Sequence, residues 1–413
     1  MSSPEAAAAA DESPATAPTL PPVELLDGLP SVVTDGHGLA RAIEALGAGH
    51  GPVAVDAERA SGFKYGQSAY LVQFYRRGSG TWLIDPTGFE SLASLGDALA
   101  RTTWILHAAS QDLPCLREVG LVPDAIFDTE LAARLLGKDR VGLGPLVESD
   151  LGRHLAKGHG AADWSKRPLP DDWLRYAALD VEVLVDLFDI LAAELVAAGK
   201  DAWAQEEFAA VLAAPEPAPR RDPWRRTSGL HKVRGRRSLA IVRALWESRD
   251  ALARQIDISP GRMLPDAAIV AASIAQPADR ERLASLPEFV KGNAAKHLSR
   301  WWRAIEQAQS LPESDLPAPA LPSDGPPPPR LWRERNPEAA ERLARARAEL
   351  AELAESHSMP VENLLPPDAV RRCAWSPPEP LDSATIAAAL SDWGARPWQV
   401  SLTADALVGA LAD

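Results

Sequence analysis

Short apolar stretches, each bounded by glycine, proline or polar turn residues, dominate the chain from about residue 32 to residue 214. The stretches rich in β-branched and aromatic residues are typical of strands, and they are Val53–Ala57, Ala69–Tyr75, Thr81–Ile84 and Trp104–His107. Longer stretches with helical spacing follow near Asp112–Val119, Thr129–Leu136 and Asp171–Ala197. Closely spaced strands followed by helices predict an α/β domain whose first three strands form an antiparallel meander.

The rest of the chain has a helical pattern that proline-rich segments interrupt. Apolar positions recur at helical spacing after each of these segments, which predicts two small all-α helical bundles. We therefore expect a disordered tail at residues 1–24, an α/β domain at 25–214 and a linker at 215–223. A first helical domain at 224–310, a proline-rich linker at 311–330 and a second helical domain at 331–413 follow.

Composition places the chain among ordinary globular proteins. Of its 413 residues, 46% are apolar and 24% are charged, and no run approaches the roughly 18 apolar residues that a membrane helix needs. The first Lys or Arg is Arg41, so no secretory or mitochondrial leader is recognisable and we expect a cytoplasmic location. Two distant cysteines, Cys115 and Cys373, exclude a disulfide framework and a cysteine-based zinc site.

Five residues form a pattern that points to chemistry. Asp56 and Glu58 alternate on a predicted strand, so both carboxylates share one face of the sheet. Asp112 follows a later strand and opens a helix, and Tyr176 lies four residues before Asp180 on one helical face. Each feature alone has an ordinary explanation: a solvated strand end, an acid at a helix N-terminus, an aromatic at the edge of the core. Together, in this order, they are much less expected by chance.

The order and spacing of these motifs resemble the ribonuclease D family, which belongs to the DEDD superfamily of 3′–5′ exonucleases, in the branch with tyrosine in the last motif. Asp56 and Glu58 match the first motif, Asp112 the second, and Tyr176 with Asp180 the third. The stretches FDTELAARLLG and DWSKRPLP between them are also similar to that family. One residue departs from the pattern: Arg59 stands where the family commonly has an apolar or aromatic side chain.

The resemblance implies a fold and a mechanism. The α/β domain would be a ribonuclease H-like mixed sheet with helices. Its carboxylates would hold two divalent cations, and all-oxygen ligation suits Mg²⁺ or Mn²⁺; the four are Asp56, Glu58, Asp112 and Asp180. Tyr176 would orient the attacking water, because a tyrosine with an ordinary pKa near 10 is a poor base. The products would be nucleoside 5′-monophosphates, and no nucleotide cofactor is implied.

The net charge of −14 does not indicate a nucleic-acid partner, but the chain contains one strongly basic segment. Residues 220–237 contain eight Lys or Arg and one Asp, which is either a solvated basic linker or a phosphate-binding patch. The predicted nucleic-acid-binding residues, with Trp224 stacking on a base, are Trp224, Arg225, Arg226, Lys232, Arg234, Arg236 and Arg237. Residues 224–310 resemble an HRDC domain, a small helical bundle that assists nucleic-acid binding, and residues 331–413 resemble a second, more divergent copy.

The leading hypothesis is a metal-dependent 3′–5′ exoribonuclease that trims the 3′ ends of RNA, single-stranded or structured, as in tRNA maturation. A DNA 3′–5′ exonuclease and a non-catalytic RNA-binding protein are the alternatives. No GxxxxGK[ST] loop is present, so a helicase motor is excluded. The sequence predicts no membrane partner and leaves the oligomeric state open.

Overall fold

The structure is a computed structural model that describes residues 20–156, 158–216, 218–321 and 325–412. Most of the predicted disordered tail, residues 1–19, lies outside the described residues. Pro22 pairs with His154 through the backbone, so ordered contacts begin before residue 25. Within the described ranges, no helix combines the length and the apolar character needed to cross a membrane.

A six-stranded mixed sheet forms the centre of the α/β domain. Its strands are β1 Val32–Val33, β2 His50–Arg59, β3 Ala69–Arg77, β4 Gly80–Ile84, β5 Thr103–Leu106 and β6 Ala125–Asp128. They lie in the order β1-β4-β3-β2-β5-β6. The predicted meander is confirmed: β3 pairs antiparallel with both β2 and β4. Beyond it, β5 runs parallel to β2 and β6 runs parallel to β5, which brings the carboxyl ends of β2 and β5 to one edge.

Helices cover the sheet, because the central strands are buried on both faces. The helices of this domain are α1 Gly36–Ala48, α2 Ala93–Ala98, α3 Leu113–Glu118, α4 Thr129–Leu135, α5 Leu143–Leu151, α6 Asp171–Ala197 and α7 Asp201–Ala213. The long helix α6 packs against β2, β3 and β4. It begins after Pro170 with two acidic residues in its first turn, where the helix dipole favours negative charge.

The first helical domain has a hydrophobic core of its own. Its helices are α8 Arg236–Ile256, α9 Pro260–Met263, α10 Asp266–Ala275, α11 Arg280–Ala284, α12 Gly292–Lys296 and α13 Leu298–Ser310. The buried residues of this core come from Trp224 to Leu316, and α8 packs on α13 at its centre.

The second helical domain shares its core with the α/β domain. Its helices are α14 Trp332–Arg335, α15 Pro337–Ser356, α16 Val361–Leu364, α17 Pro367–Trp375, α18 Ser383–Asp392 and α19 Pro397–Leu411. One continuous cluster of buried apolar residues runs from the sheet through Phe208 of α7 to Leu407 and Leu411 of α19. The predicted fold class, a mixed-sheet α/β domain followed by two helical domains, is confirmed.

Candidate active site

Strand β2 presents two acidic side chains to the helix that crosses the sheet. Asp56 and Glu58 are two residues apart, so strand alternation directs both to the same face. Helix α6 packs on that strand and contributes Asp180. Oxygen atoms of Asp56, Glu58 and Asp180 lie within 4.8 Å of one another. Three carboxylates predicted from two separate motifs therefore meet at one point.

Tyr176 lies one helical turn before Asp180, and both side chains line the same cleft. A glycine-containing loop passes over its ring: a Cβ atom built on Gly158 would come within 2.6 Å of Tyr176 Cδ2, and one on Gly160 within 3.6 Å of the hydroxyl. Glycine at residue 158 is thus required for this close approach. Burial, followed by the charge of Asp180, raises the pKa of Tyr176 above its ordinary value. A raised pKa favours the protonated phenol near pH 7, so the role predicted for Tyr176, orienting a water molecule, is compatible with its surroundings and remains a prediction.

Asp112 comes from the turn between β5 and α3. This turn is held by Asp128, whose carboxylate accepts from the backbone N–H groups of Ala108 at 3.1 Å and Ala109 at 2.8 Å. The same carboxylate caps α4 by accepting from the N–H of Glu130 at 2.9 Å. Strand β6, which the sequence analysis missed, therefore fixes the position of Asp112 through its last residue.

These side chains line a cavity of about 370 Å³. Arg59 enters it from the end of β2, and its Nη2 lies 3.4 Å from Asp112 Oδ1. His107 lies in the wall, with Nδ1 2.9 Å from the hydroxyl of Thr129. The structure thus brings all five predicted catalytic residues together in one cleft.

The surroundings of the four carboxylates disfavour their ionised forms when no cation is bound. Burial, followed by the charges of Asp56, Asp180 and Asp112, raises the pKa of Glu58 to about 9. Burial and then Asp56 also raise the pKa values of Asp112 and Asp180, and burial raises that of Asp56 itself. A buried all-oxygen donor set with mutual repulsion fits hard divalent cations, which replace repulsion by attraction.

Gln73 is a further polar group beside the site that the sequence analysis did not single out. It is fully buried on β3, directly opposite Asp56 in the antiparallel register. Both its amide oxygen and its amide nitrogen are without hydrogen-bond partners in the structure. Its signal in the sequence is a lone polar residue inside an otherwise apolar strand.

The predicted stacking residue Trp224 is not available to a base. Its side chain is 2% exposed in the core of the first helical domain, and the guanidinium of Arg225 covers its ring at 4.3 Å. The interpretation of Trp224 as a stacking platform is therefore wrong for this structure. It failed because a tryptophan in a basic segment looks exposed when the fold around it is unknown.

Part of the basic segment holds the chain together. Arg236 donates to the carbonyl oxygens of Glu313 and Leu316, Arg237 to that of Leu311, and Arg225 to that of Ala318. These three predicted phosphate ligands are half-buried and engaged with the proline-rich segment. Arg226, Lys232 and Arg234 are exposed, so they are the members of the predicted patch that face solvent.

Comparison with protein-family models gives three matches. Residues 30–196 match the model described as 3′–5′ exonuclease. Residues 238–305 match the HRDC domain. Residues 325–411 match the model described as 3′ to 5′ exonuclease C-terminal domain.

Curated relatives and solved structures agree with these matches. A ribonuclease D of Granulibacter bethesdensis is 35% identical over 236 residues, which cover 55% of this chain and 58% of that protein. The chain therefore matches little more than half the length of this relative. A crystal structure of a protein from Bifidobacterium adolescentis is 38% identical, with a TM-score of 0.87, covering 95% of this chain and 99% of that one. The crystal structure of Escherichia coli RNase D has the same fold, with a TM-score of 0.66 at 24% identity, covering 92% of this chain and 98% of that one.

Proposed function

We propose that this chain, which is similar to ribonuclease D and matches the models of an exonuclease domain, an HRDC domain and an exonuclease C-terminal domain, is a metal-dependent 3′–5′ exoribonuclease. The observation that carries the proposal is the convergence of oxygens from Asp56, Glu58 and Asp180 within 4.8 Å, with Asp112 lining the same cleft. This is the donor set that phosphodiester hydrolysis with divalent cations requires.

The proposed cofactor is a pair of Mg²⁺ or Mn²⁺ ions held by the four carboxylates. When bound, such ions supply a nucleophile at neutral pH and stabilise the charge that develops on the leaving 3′ oxygen. The protein supplies the rest. Tyr176 stays protonated and orients water beside Asp180, and the glycine loop at 158–160 keeps its ring in place.

The proposed substrate is the 3′ end of an RNA, single-stranded or within a structured precursor. The narrow cleft accepts a chain end, and exposed Arg226, Lys232 and Arg234 lie outside it on the first helical domain. Such surface cations contribute affinity that does not depend on sequence. A cytoplasmic location is part of this proposal.

We also propose that the second helical domain is a divergent HRDC-like copy. Both helical domains contain the same succession of helices: one of at least 20 residues, one of four residues and one of nine or ten residues. These are α8, α9 and α10 in the first domain and α15, α16 and α17 in the second. Both domains also end in a helix of 13 or more residues, α13 and α19.

The test is hydrolysis of a 5′-labelled RNA and a DNA of the same sequence, each with Mg²⁺, Mn²⁺ or EDTA. We expect stepwise shortening from the 3′ end, release of 5′-monophosphates, preference for RNA and no cleavage in EDTA. Asp180→Asn should lower the rate by at least about 100-fold, because one ligand of the cation pair is lost.

The matched control is Asp186→Asn, on the same helix but exposed and paired with Arg77. It should cleave at the rate of the unmodified chain. A preference for DNA would favour the DNA-exonuclease alternative. RNA binding without cleavage, or full activity in Asp180→Asn, would contradict the proposal.

A further inference from the structure

The cleft has one permanent cation among the residues the structure describes, and it is the residue that departs from the family pattern. Arg59 ends β2 directly after the acidic pair, and its side chain lines the cavity. The other basic group in the lining is His107, whose pKa burial lowers to about 4, so it is neutral near pH 7. Arg59 is therefore the lining group that carries a full positive charge to an incoming phosphate.

The ion-pair partner of Arg59 in the structure is Asp112. Its Nη2 lies 3.4 Å from Asp112 Oδ1, and its Nη1 donates to the carbonyl oxygen of Gln111. The Asp112 side chain is 7% exposed, whereas that of Arg59 is 26% exposed. The acid is therefore nearly buried, whereas the arginine remains partly accessible to solvent.

Asp112 also differs from the other three carboxylates in position. The described group whose oxygens converge within 4.8 Å consists of Asp56, Glu58 and Asp180 and does not include Asp112. In the chain without cations, one side of Asp112 is occupied by the guanidinium of Arg59. A cation at Asp112 and the guanidinium at Asp112 then compete for the same oxygen, because a positive ion repels the arginine.

We propose that Arg59 is an exchangeable partner of Asp112: its guanidinium pairs with the Asp112 side chain until a divalent cation binds there, and then binds the phosphate of the 3′-terminal nucleotide. This inference rests on the proposed function and assigns one more substrate-binding residue to it. The planar guanidinium presents a fork of N–H donors that matches phosphate oxygens, and its stem at the rim lets it turn outward. An apolar side chain at this position could do neither.

The first test uses Mn²⁺ alone, without RNA. Calorimetric titration compares the unmodified chain with Arg59→Gln and with Arg101→Gln, a control at an exposed arginine before β5 that does not line the cleft. We expect Arg59→Gln to bind the weaker of the two Mn²⁺ ions roughly five- to tenfold more tightly, the scale of a partly exposed ion pair. Arg101→Gln should not change the isotherm.

The second test uses a nucleoside 5′-monophosphate, AMP, added to the Mn²⁺-loaded chain. Arg59→Gln should weaken AMP binding roughly tenfold. Arg59→Lys keeps the charge but loses the fork of N–H donors, so its affinity for AMP should lie between those of the unmodified chain and Arg59→Gln. The two variants together separate the loss of charge from a loss of folding.

Each outcome bears on the proposal by itself. An Mn²⁺ isotherm in Arg59→Gln identical to that of the unmodified chain would overturn the exchange, and unchanged AMP affinity would overturn the phosphate contact. Either result can occur in a chain that still degrades RNA, which leaves the proposed function standing. A chain that binds no Mn²⁺ at all would contradict both.

Discussion

The two helical domains of this chain are attached to the α/β domain in different ways. The second domain continues the apolar core: Trp398 of α19 stacks on Trp203 of α7 with ring centroids 4.9 Å apart, and both belong to the cluster that reaches the sheet. The first domain has a separate core, to which the α/β domain adds one partly buried side chain, Tyr65. Its contacts with the α/β domain are mostly polar.

Those polar contacts involve the loop that follows β2, the strand that carries Asp56 and Glu58. The carbonyl oxygen of Phe63 accepts from the N–H of Ser259 at 2.9 Å, and Lys64 pairs with Asp257 at 2.8 Å. The hydroxyl of Tyr65 donates to Asp250 at 2.9 Å. Burial of apolar surface strongly stabilises the attachment of the second helical domain, whereas the exposed polar contacts of the first contribute little to the free energy of its attachment. The second domain is therefore structural, and the first is an attached unit beside the active site.

The largest expected effect tests this difference directly. A chain ending at residue 321, without the second helical domain, exposes the apolar faces of α7 and should lose cooperative folding or melt at least about 10 °C lower. Residues 218–321 expressed alone should unfold in a cooperative transition of their own, because their core is complete. Circular dichroism against temperature measures both. A truncated chain as stable as the full one would show that the shared core is not needed.

A single side chain gives a smaller effect of the same kind. Trp398→Ala removes the stack on Trp203 and the hydrogen bond that the indole N–H donates to Glu207. We expect a loss of about 3–5 kcal/mol from the free energy of unfolding, as for other large-to-small core substitutions. In scanning calorimetry it should shift the transition of the α/β domain. Trp224→Ala, in the other core, should shift only that of the first helical domain, and one common transition for both would contradict the comparison.

The close approach between α4 and the second helical domain predicts an intermediate effect. Gly137 has φ of +70°, and a Cβ atom there would come within 2.2 Å of the carbonyl oxygen of Ser358. Gly152 has a similar φ of +63° but open space around it. Gly152→Ala should cost about 1 kcal/mol of strain, and Gly137→Ala about 2 kcal/mol more, because backbone must move. Chemical denaturation measures both, and equal losses would mean that the contact yields freely.

The ion pair between the α/β domain and the first helical domain should give the smallest effect. A double-mutant cycle of Lys64→Met and Asp257→Asn should show a coupling below about 1 kcal/mol, since both side chains are largely exposed. The Lys64 ammonium lowers the pKa of Asp257. The coupling should therefore be present above the ordinary pKa of aspartate and be lost as the pH falls through the lowered one. A coupling that resists salt would indicate a buried interface.

The sequence predicted local features well and long-range ones poorly. Strand alternation and helical spacing were enough to place Asp56, Glu58 and Asp180, and the resemblance to ribonuclease D that they carry is confirmed. The HRDC resemblance of the first helical domain is confirmed as well. These predictions succeeded because periodicity within one element fixes which side chains share a face.

Tertiary partners were not visible in the same patterns. Strand β6 is only four residues long, and its role, holding the turn before Asp112 through Asp128, depends on contacts 20 residues apart. Arg236 and Arg237 look like free cations in the sequence but hold the proline-rich segment. The proline-rich linkers suggested independent domains, yet α7 and α19 join one core, which composition alone does not reveal.

The shared core also constrains how this protein is synthesised. The first helical domain can close as soon as Leu316 has been translated, because all its buried residues precede that point. The sheet carrying the acidic site is translated earlier but must wait for Leu407 and Leu411 before its cluster is filled. Such sequence-distant contacts form slowly. The nascent chain thus completes the core of its middle domain before the core of the sheet that carries the acidic site.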